Sequence, residues 1–204
     1  SAEFRAHFRG KNLGPFRLAV PGIHNASNAL VAIAIGIELE IPVDLIRKGL
    51  AAFTGVERRF HLRGEAGGIM VVDDYGHHPT EVKATLAAAK QGWDRRLVVL
   101  FQPHRYSRTR DCIGEFADAF AHADVLFMTE IYPAGESPIP GVSGAALAET
   151  IKSAGHPSVT FLERKETLPD QVLPHLRPGD LVLTLGAGDI WKAGTEILAR
   201  LESA

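Results

Sequence analysis

The sequence predicts an α/β fold: a Rossmann-like, mostly parallel sheet with flanking helices, preceded by a hairpin and two helices. Three observations lead there. From Phe60 onward, short β-branched apolar runs alternate with amphipathic helical stretches, the rhythm of successive βαβ units. Those runs are apolar at nearly every position, as strands covered on both faces must be. Before residue 60 the pattern differs, with two alternating segments around a polar turn and then two apolar helices.

Composition narrows the class. The chain has 204 residues, of which 46% are hydrophobic and 23% charged, with 20 Gly and 12 Pro; this excludes a disordered tail, a collagen-like fibre and a small disulfide scaffold. Lys and Arg number 22 against 24 Asp and Glu, a net charge of -2, so no global field draws the chain to nucleic acid or to an anionic membrane. Any anion it binds must be met locally. The one cysteine, Cys112, excludes an internal disulfide and fits a reducing compartment, so a cytoplasmic location is expected. No run of about 18 apolar residues occurs, and the opening SAEFRAHFRG is polar and alternating rather than a signal peptide.

Taken in order, residues 2–8 and 14–20 alternate around Arg9-Gly10-Lys11-Asn12 and are expected to pair as a hairpin. An isolated hairpin is only marginally stable, so its sheet partners are expected upstream of this chain. Residues 29–37 are apolar on nearly every side, which predicts a buried helix. Pro42 opens a second helix with Leu45, Ile46, Leu50 and Phe53 on one face, ended by Gly55. Residues 1–56 therefore read as one unit, too small to be complete, and 57–204 as a second. In the second, strands are expected at 69–72, 97–101, 125–129, 159–162 and 181–185, and helices at 80–90, 111–122, 143–153 and 189–201.

Sheets of this kind bind ligands beyond the carboxyl ends of their strands, and two polar clusters fall there. DDYGHHPTEVK (73–83) sets two carboxylates, a phenol and two imidazoles after a strand, with Pro79 starting a helix. A strand-end carboxylate such as Asp74 can accept from ribose hydroxyls, and a histidine can contact an anion or move a proton. The plainer alternative is that Asp74 caps the turn while His77 and His78 lie at the surface; five polar residues at a binding edge favour the site. No metal site is expected, because HExxH and Cys-His patterns are absent and adjacent histidines do not easily share an ion.

FQPHRYSRTRD (101–111) brings Arg105, Arg108 and Arg110 past the next strand, with Asp111 placed to cap a following helix. Guanidiniums three apart can grip a carboxylate or phosphate. The negative net charge favours a small anion over nucleic acid stacked on Tyr106. In HNASN, Asn25 and Asn28 stand three apart at a helix mouth, which suits an adenine edge or, equally, simple capping by Asn25. Arg58 and Arg59 sit at the junction of the two units, where a guanidinium reaches a ligand or joins a surface ion pair. LGAGDIW (185–191) lacks a third glycine at Trp191, so close strand-to-helix packing explains it better than a dinucleotide fingerprint. Residues 163–166 read as a charged loop; Cys112 falls in an expected first helical turn, where a thiol pKa can fall, but with no His-Asp partner evident it reads as a packed residue. Gly-x4-Gly-Lys-Ser/Thr occurs nowhere, so a phosphate-gripping loop would have to come from outside this chain.

Together HNASN, VERRF, DDYGHHPTEV, FQPHRYSRTRD and LGAGDIW resemble the cytoplasmic Mur ligases of peptidoglycan synthesis, from the first hairpin to the last helix. The resemblance implies that residues 1–56 are the end of the central ATP-binding domain and 57–204 the Rossmann-like C-terminal domain, with the N-terminal and remaining central domains missing. It implies an ATP- and magnesium-dependent reaction in which a carboxylate becomes an acyl phosphate that an amino acid attacks. In finer detail the motifs look most like the member that joins L-alanine to UDP-N-acetylmuramate. A recycling ligase that attaches a tripeptide to the same sugar acid ranks second, and a non-catalytic nucleotide-binding module third.

By the same resemblance His24, Asn25, Asn28, Arg59 and Asp74 would bind the nucleotide, Asp74 through its ribose. Tyr75, His77, His104, Arg105 and Arg108 would orient alanine and the muramoyl substrate. Arg59, His77 and Arg105 form the expected catalytic set. The partners implied are L-alanine, UDP-N-acetylmuramate and ATP, with no nucleic acid and no membrane. The 204 residues alone are expected to be inactive and to bind ATP weakly or not at all.

Overall fold

A computed structural model describes residues 2–20 and 22–203. Strands β1 (Ala2–Phe8) and β2 (Lys11–Leu18) pair antiparallel, with Phe8 opposite Lys11 across a two-residue turn. Arg9 and Gly10 both have positive φ, 47° and 79°, the conformation that matches hairpin twist. The turn is thus shorter than the four residues expected, and β2 begins at Lys11 rather than at 14.

Helices α1 (Ile23–Glu38) and α2 (Val43–Ala52) pack on this hairpin. Ala6, Phe16, Ile33 and Ile46 form their shared core, and Leu18, Val20 and Ala29 a smaller one beside it. A Cβ on Gly36 would lie 2.7 Å from Ile46 Cδ1, so glycine is what allows the two helices to approach. The expectation of a helix buried all round is corrected: Val31 is 61% and Ile35 55% exposed. The hairpin and α2 cover one face of α1, and nothing described in this chain covers the other. On α2, likewise, Ile46 is buried and Leu50 packs, while Leu45 and Phe53 are exposed.

The second unit is one sheet. Its strands are β3 (His61–Ala66), β4 (Ile69–Asp74), β5 (Arg96–Phe101), β6 (Val125–Thr129), β7 (Val159–Leu162) and β8 (Asp180–Leu185), in the order β3-β4-β8-β5-β6-β7. All neighbours are parallel except β3, which runs antiparallel to β4. Helices α3 (Pro79–Gly92), α5 (Ile113–Phe116) and α6 (Gly144–Ser153) cover one face. Val82, Leu86, Phe116, Phe120, Leu147 and Ile151 meet Val72, Val99, Phe101, Met128 and Leu183 there. Helices α7 (Leu168–Val172) and α8 (Trp191–Glu202) cover the other, setting Leu168, Ile190 and Ile197 on Val71, Leu100 and Val182. Alternate residues of β4, β5, β6 and β8 feed opposite cores, which is why those runs read as continuously apolar.

Three local readings change. The expected helix over 111–122 is instead α4 (Tyr106–Asp111), a break at Cys112, and the single turn of α5. Asp111 closes α4 rather than capping a helix, and its carboxylate pairs with Arg110 Nε at 2.7 Å. The charged stretch at 163–166 runs into a 3-10 turn, Lys165–Thr167, that leads into α7.

Candidate functional site at the tips of two strands

The end of β4 is organised by two carboxylates with different partners. Asp73, buried, accepts from Thr184 Oγ1 at 2.7 Å and from Arg58 Nε at 3.0 Å, and Arg58 also donates to the Gly186 carbonyl. Asp74 points elsewhere: Oδ2 accepts from the Phe60 backbone N–H and Oδ1 from that of Gly76, each at 2.7 Å. Burial raises the Asp74 carboxyl above its ordinary pKa, against those N–H groups and Arg59. Gly76 allows this fold-back, since a Cβ there would sit 2.8 Å from Asp74 Oδ1. The turn-capping alternative thus describes what Asp74 does in this structure.

From that turn the chain enters α3 through a capping box. His78 Nδ1 accepts from Thr80 N, while Glu81 Oε2 accepts from the backbone N–H of both His77 and His78. Burial works to raise the Glu81 carboxyl, but those N–H groups, the His77 ring and Arg59 outweigh it and hold the pKa low. His77 Nδ1 donates to the Tyr75 carbonyl at 3.0 Å, which leaves Nε2 as the ring's acceptor. His78 Nε2 lies 3.7 Å from Cys112 Sγ. The thiol is half-buried against the core, and burial pushes its pKa up, in keeping with the packed residue expected from the sequence.

The β5 tip comes to the same place. The His77 and His104 rings lie 5.4 Å apart, and His104 stacks on Tyr132 at 5.6 Å with a 7° interplanar angle. Arg108 Nη1 donates to His104 Nδ1. Burial, then the neighbouring His77, Arg108 and Arg105, depress the His104 pKa to about 4. Arg105 is exposed and takes φ 70° and ψ 138° just before α4, a backbone region that costs an ordinary residue about 1–3 kcal/mol. Its N–H donates to the Tyr132 carbonyl, and its carbonyl accepts from Thr109 N and Oγ1. Tyr75, His77, His104, Arg105 and Arg108 therefore gather at the carboxyl ends of β4 and β5, on either side of β8.

Beside them a cavity of about 760 Å³ opens between the hairpin-helix unit and the sheet. Asn25, Asn28, Leu50 and Phe53 line one wall, and Arg59, Phe60, Asp74 and Glu81 the other. The side chain of His24 lies outside the described residues. The two adjacent arginines separate here. Arg58 is 23% exposed and committed to Asp73, whereas Arg59 is 54% exposed, lines the cavity and reaches Glu81 at 3.7 Å. Both guanidiniums lie over the Tyr75 ring, at 4.9 and 5.6 Å. Glu81 thus joins the cavity, through Arg59, to the histidine and arginine cluster, through His77.

Close packing accounts for LGAGDIW, though against the loops after β5 and β6 rather than between strand and helix: a Cβ on Gly188 would lie 2.4 Å from Gln102 Oε1 and 2.8 Å from the Tyr132 ring. Two site residues were not singled out by sequence. Glu81 carried a signal, an acidic residue three positions after the residue preceding the helix. Glu136 carried none locally, because its partner Ser107 is 29 residues away.

Comparison with known proteins finds relatives along the whole chain. The family model described as "Mur ligase, glutamate ligase domain" matches residues 58–188. The UDP-N-acetylmuramate–L-alanine ligase of Geobacter sulfurreducens is 54% identical over 205 residues, covering 100% of this chain and 44% of that protein. The ligase of the same name from Myxococcus xanthus is 54% identical over 203 residues, covering 100% and 43%. Among solved structures, the UDP-N-acetylmuramate-alanine ligase of Thermotoga maritima superposes with a TM-score of 0.81 at 32% identity, over 95% of this chain and 41% of that one. A murein peptide ligase of Psychrobacter arcticus gives 0.71 at 26%, over 99% and 42%. The chain spans less than half the length of the curated relatives it matches.

Proposed function

This chain belongs to the Mur ligase family, and we propose that it is the C-terminal part of an ATP-dependent ligase that joins L-alanine to UDP-N-acetylmuramate in peptidoglycan synthesis. The observation that carries this is 54% identity along the whole chain to ligases of that name. Residues 1–56 would be the end of the ATP-binding domain and 57–204 the C-terminal domain. The exposed face of α1 would then receive the rest of the ATP-binding domain. We place the protein in the cytoplasm, with the other ligases it resembles; among the described residues, no helix is long and apolar enough to cross a membrane.

In this reading the substrate carboxylate attacks the γ-phosphorus of ATP and releases ADP. The alanine nitrogen then attacks the acyl carbon, and inorganic phosphate leaves with the electrons of the carbon–oxygen bond. The nitrogen must be neutral and held at about 3 Å from the acyl carbon. Arg105 and Arg108 would hold the amino acid carboxylate, a pairing that planar guanidiniums make well. His77, whose Nδ1 is committed to Tyr75, keeps Nε2 as an acceptor for a proton of the incoming amine. His104 would contribute as a neutral donor from Nε2, and Tyr75 as the platform on which Arg59 rests.

The cavity would take the adenosine end of ATP, with Asn25 and Asn28 offering donor and acceptor atoms to the base, His24 beside them and Asp74 toward the ribose. Arg59 would face the phosphates, where a cation offsets charge gathering on the transferred oxygens. Magnesium, which the family generally requires, finds no group of three His, Cys, Asp or Glu side chains among the described residues. Its ligands and the phosphate-gripping loop would lie in the remainder of the protein, so these 204 residues alone would not turn over.

The test is ATP consumption by the full-length protein. Turnover that requires UDP-N-acetylmuramate and L-alanine supports the proposal. Turnover supported by the tripeptide and not by alanine assigns the recycling reaction instead. Nucleotide binding with no substrate-dependent turnover would leave only the nucleotide-binding module.

A further inference from the structure

Glu136 lies outside every motif that suggested the function, yet it holds the loop on which the site's arginines stand. Pro133 to Glu136 form a tight turn closed by Glu136 N–H donating to the Pro133 carbonyl at 3.0 Å, with Ala134 and Gly135 both at positive φ. The turn presents the carboxylate to the first turn of α4, chiefly to Ser107, with the Tyr106 N–H and the Arg105 charge beside it. Oε2 accepts from the Ser107 backbone N–H at 2.9 Å and Oε1 from its hydroxyl at 2.6 Å. Ser107 stands between Arg105 and Arg108 in the first turn of α4.

The two loops are stitched together just upstream. Tyr132 N–H donates to the Pro103 carbonyl at 2.8 Å, and Arg105 N–H donates to the Tyr132 carbonyl at 2.9 Å. A strained backbone such as that of Arg105 persists only where its surroundings over-determine it. Here the strain is bracketed: Tyr132 holds the N–H of Arg105, and Glu136 holds the second residue after it. Hydrogen bonds to an ionised carboxylate are among the stronger ones available for this task.

We propose that Glu136 is a positioning residue that, through Ser107, holds the first turn of α4 and so aims Arg105 and Arg108 at the carboxylate of the incoming amino acid. The inference rests on the proposed function, in which those arginines bind the amino acid. It concerns a residue that touches no substrate, and so makes a narrower claim on kinetics. Loss of the clamp weakens capture of the amino acid and leaves the nucleotide cavity, formed by other elements, as it was.

The experiment is steady-state kinetics of the full-length ligase with L-alanine as the varied substrate. Glu136→Ala should raise KM for alanine about tenfold or more, since displacements on the order of 1 Å cost up to about 100-fold. KM for ATP should stay within about twofold of the parent. Glu136→Gln, which keeps an acceptor oxygen for the Ser107 N–H, should recover most of the loss. Ser107→Ala should add little in the Glu136→Ala background, because residues acting through one bond are not additive. Unchanged alanine KM in Glu136→Ala, beside a raised one in Arg105→Ala, overturns the inference and leaves the proposed function standing. Equal increases in the alanine and ATP constants also overturn it, marking a merely structural role. An unchanged alanine KM in Arg105→Ala removes the proposed use of the site itself, and this inference with it.

Discussion

Arg108 Nη1 lies 3.1 Å from His104 Nδ1, four residues earlier in the chain, and this contact decides the state of the imidazole. A guanidinium can only donate, so Nδ1 must accept and the ring proton resides on Nε2. The neighbouring His77 has the opposite arrangement, with Nδ1 turned to the Tyr75 carbonyl. The two rings, 5.4 Å apart, therefore offer one acceptor and one donor to the same space.

The His104 environment makes stability depend on acid. Its ordinary pKa of 6.5 falls to about 4 in the fold. Between those values the unfolded chain holds more protons than the folded one, so stability is complete above about pH 6.5 and declines as pH drops toward 4. Urea midpoints measured at pH 7.5 and 4.5 should differ less in His104→Gln than in the parent. Equal differences would show that this ring contributes nothing to acid sensitivity.

Arg58 and Arg59 should separate into structure and function. Arg58→Ala leaves the buried Asp73 carboxylate without its cation and should destabilise the chain by about 3 kcal/mol. Arg59→Ala should leave stability within about 0.5 kcal/mol, yet lower kcat of the full-length ligase about 100-fold. Denaturant melts and turnover on the two variants read this directly. Normal ATP affinity and turnover in Arg59→Ala would remove it from the phosphate site.

Two glycines test packing against conformation. Gly188→Ala would drive a methyl into Gln102 and the Tyr132 ring and should cost about 1–3 kcal/mol. Gly10→Ala meets nothing within 4 Å but keeps φ at 79°, so it should cost about 1 kcal/mol from backbone strain alone. Urea unfolding followed separately for the sheet and the hairpin-helix unit should place each loss in its own part.

The uncovered face of α1 should make this 204-residue chain associate. Changing Val31 and Ile35 to lysine should reduce concentration-dependent association in sedimentation without lowering stability, because both side chains already face water. In the full-length protein the same pair should lower stability, since that face would there be buried. Indifference in the longer protein would show that α1 is a surface helix after all.

Sequence legibility followed the range of the interactions involved. Strands β4, β5, β6 and β8 were readable because nearly every residue in them is buried, the edge strand β7 from its short apolar and β-branched run although Thr160 is exposed, and the histidine and arginine clusters because they follow two of those strands directly. Strand β3 was missed: Leu62 is exposed, Gly64 interrupts the run and a register shift falls between them, so it lacks the apolar signature of its neighbours. The start of α4 was missed because its capping group, Glu136, comes from another loop. Adjacent Arg58 and Arg59 were indistinguishable as letters and are told apart by their partners, the buried Asp73 for Arg58 and the half-exposed Glu81 for Arg59. Residues 29–37 read as fully buried because an apolar surface looks the same in sequence whether or not its cover is present.

Strand β8 is made after the other five strands of its sheet, yet it lies between β4 and β5 and pairs with both. Until it emerges from the ribosome, the loop bearing His77 and the loop bearing His104 hang on separate half-sheets with no common frame. Translation must therefore run beyond residue 185 before the imidazoles can meet on one frame, and a nascent chain stalled short of that point would carry every proposed ligand-binding side chain with its two histidine loops still apart.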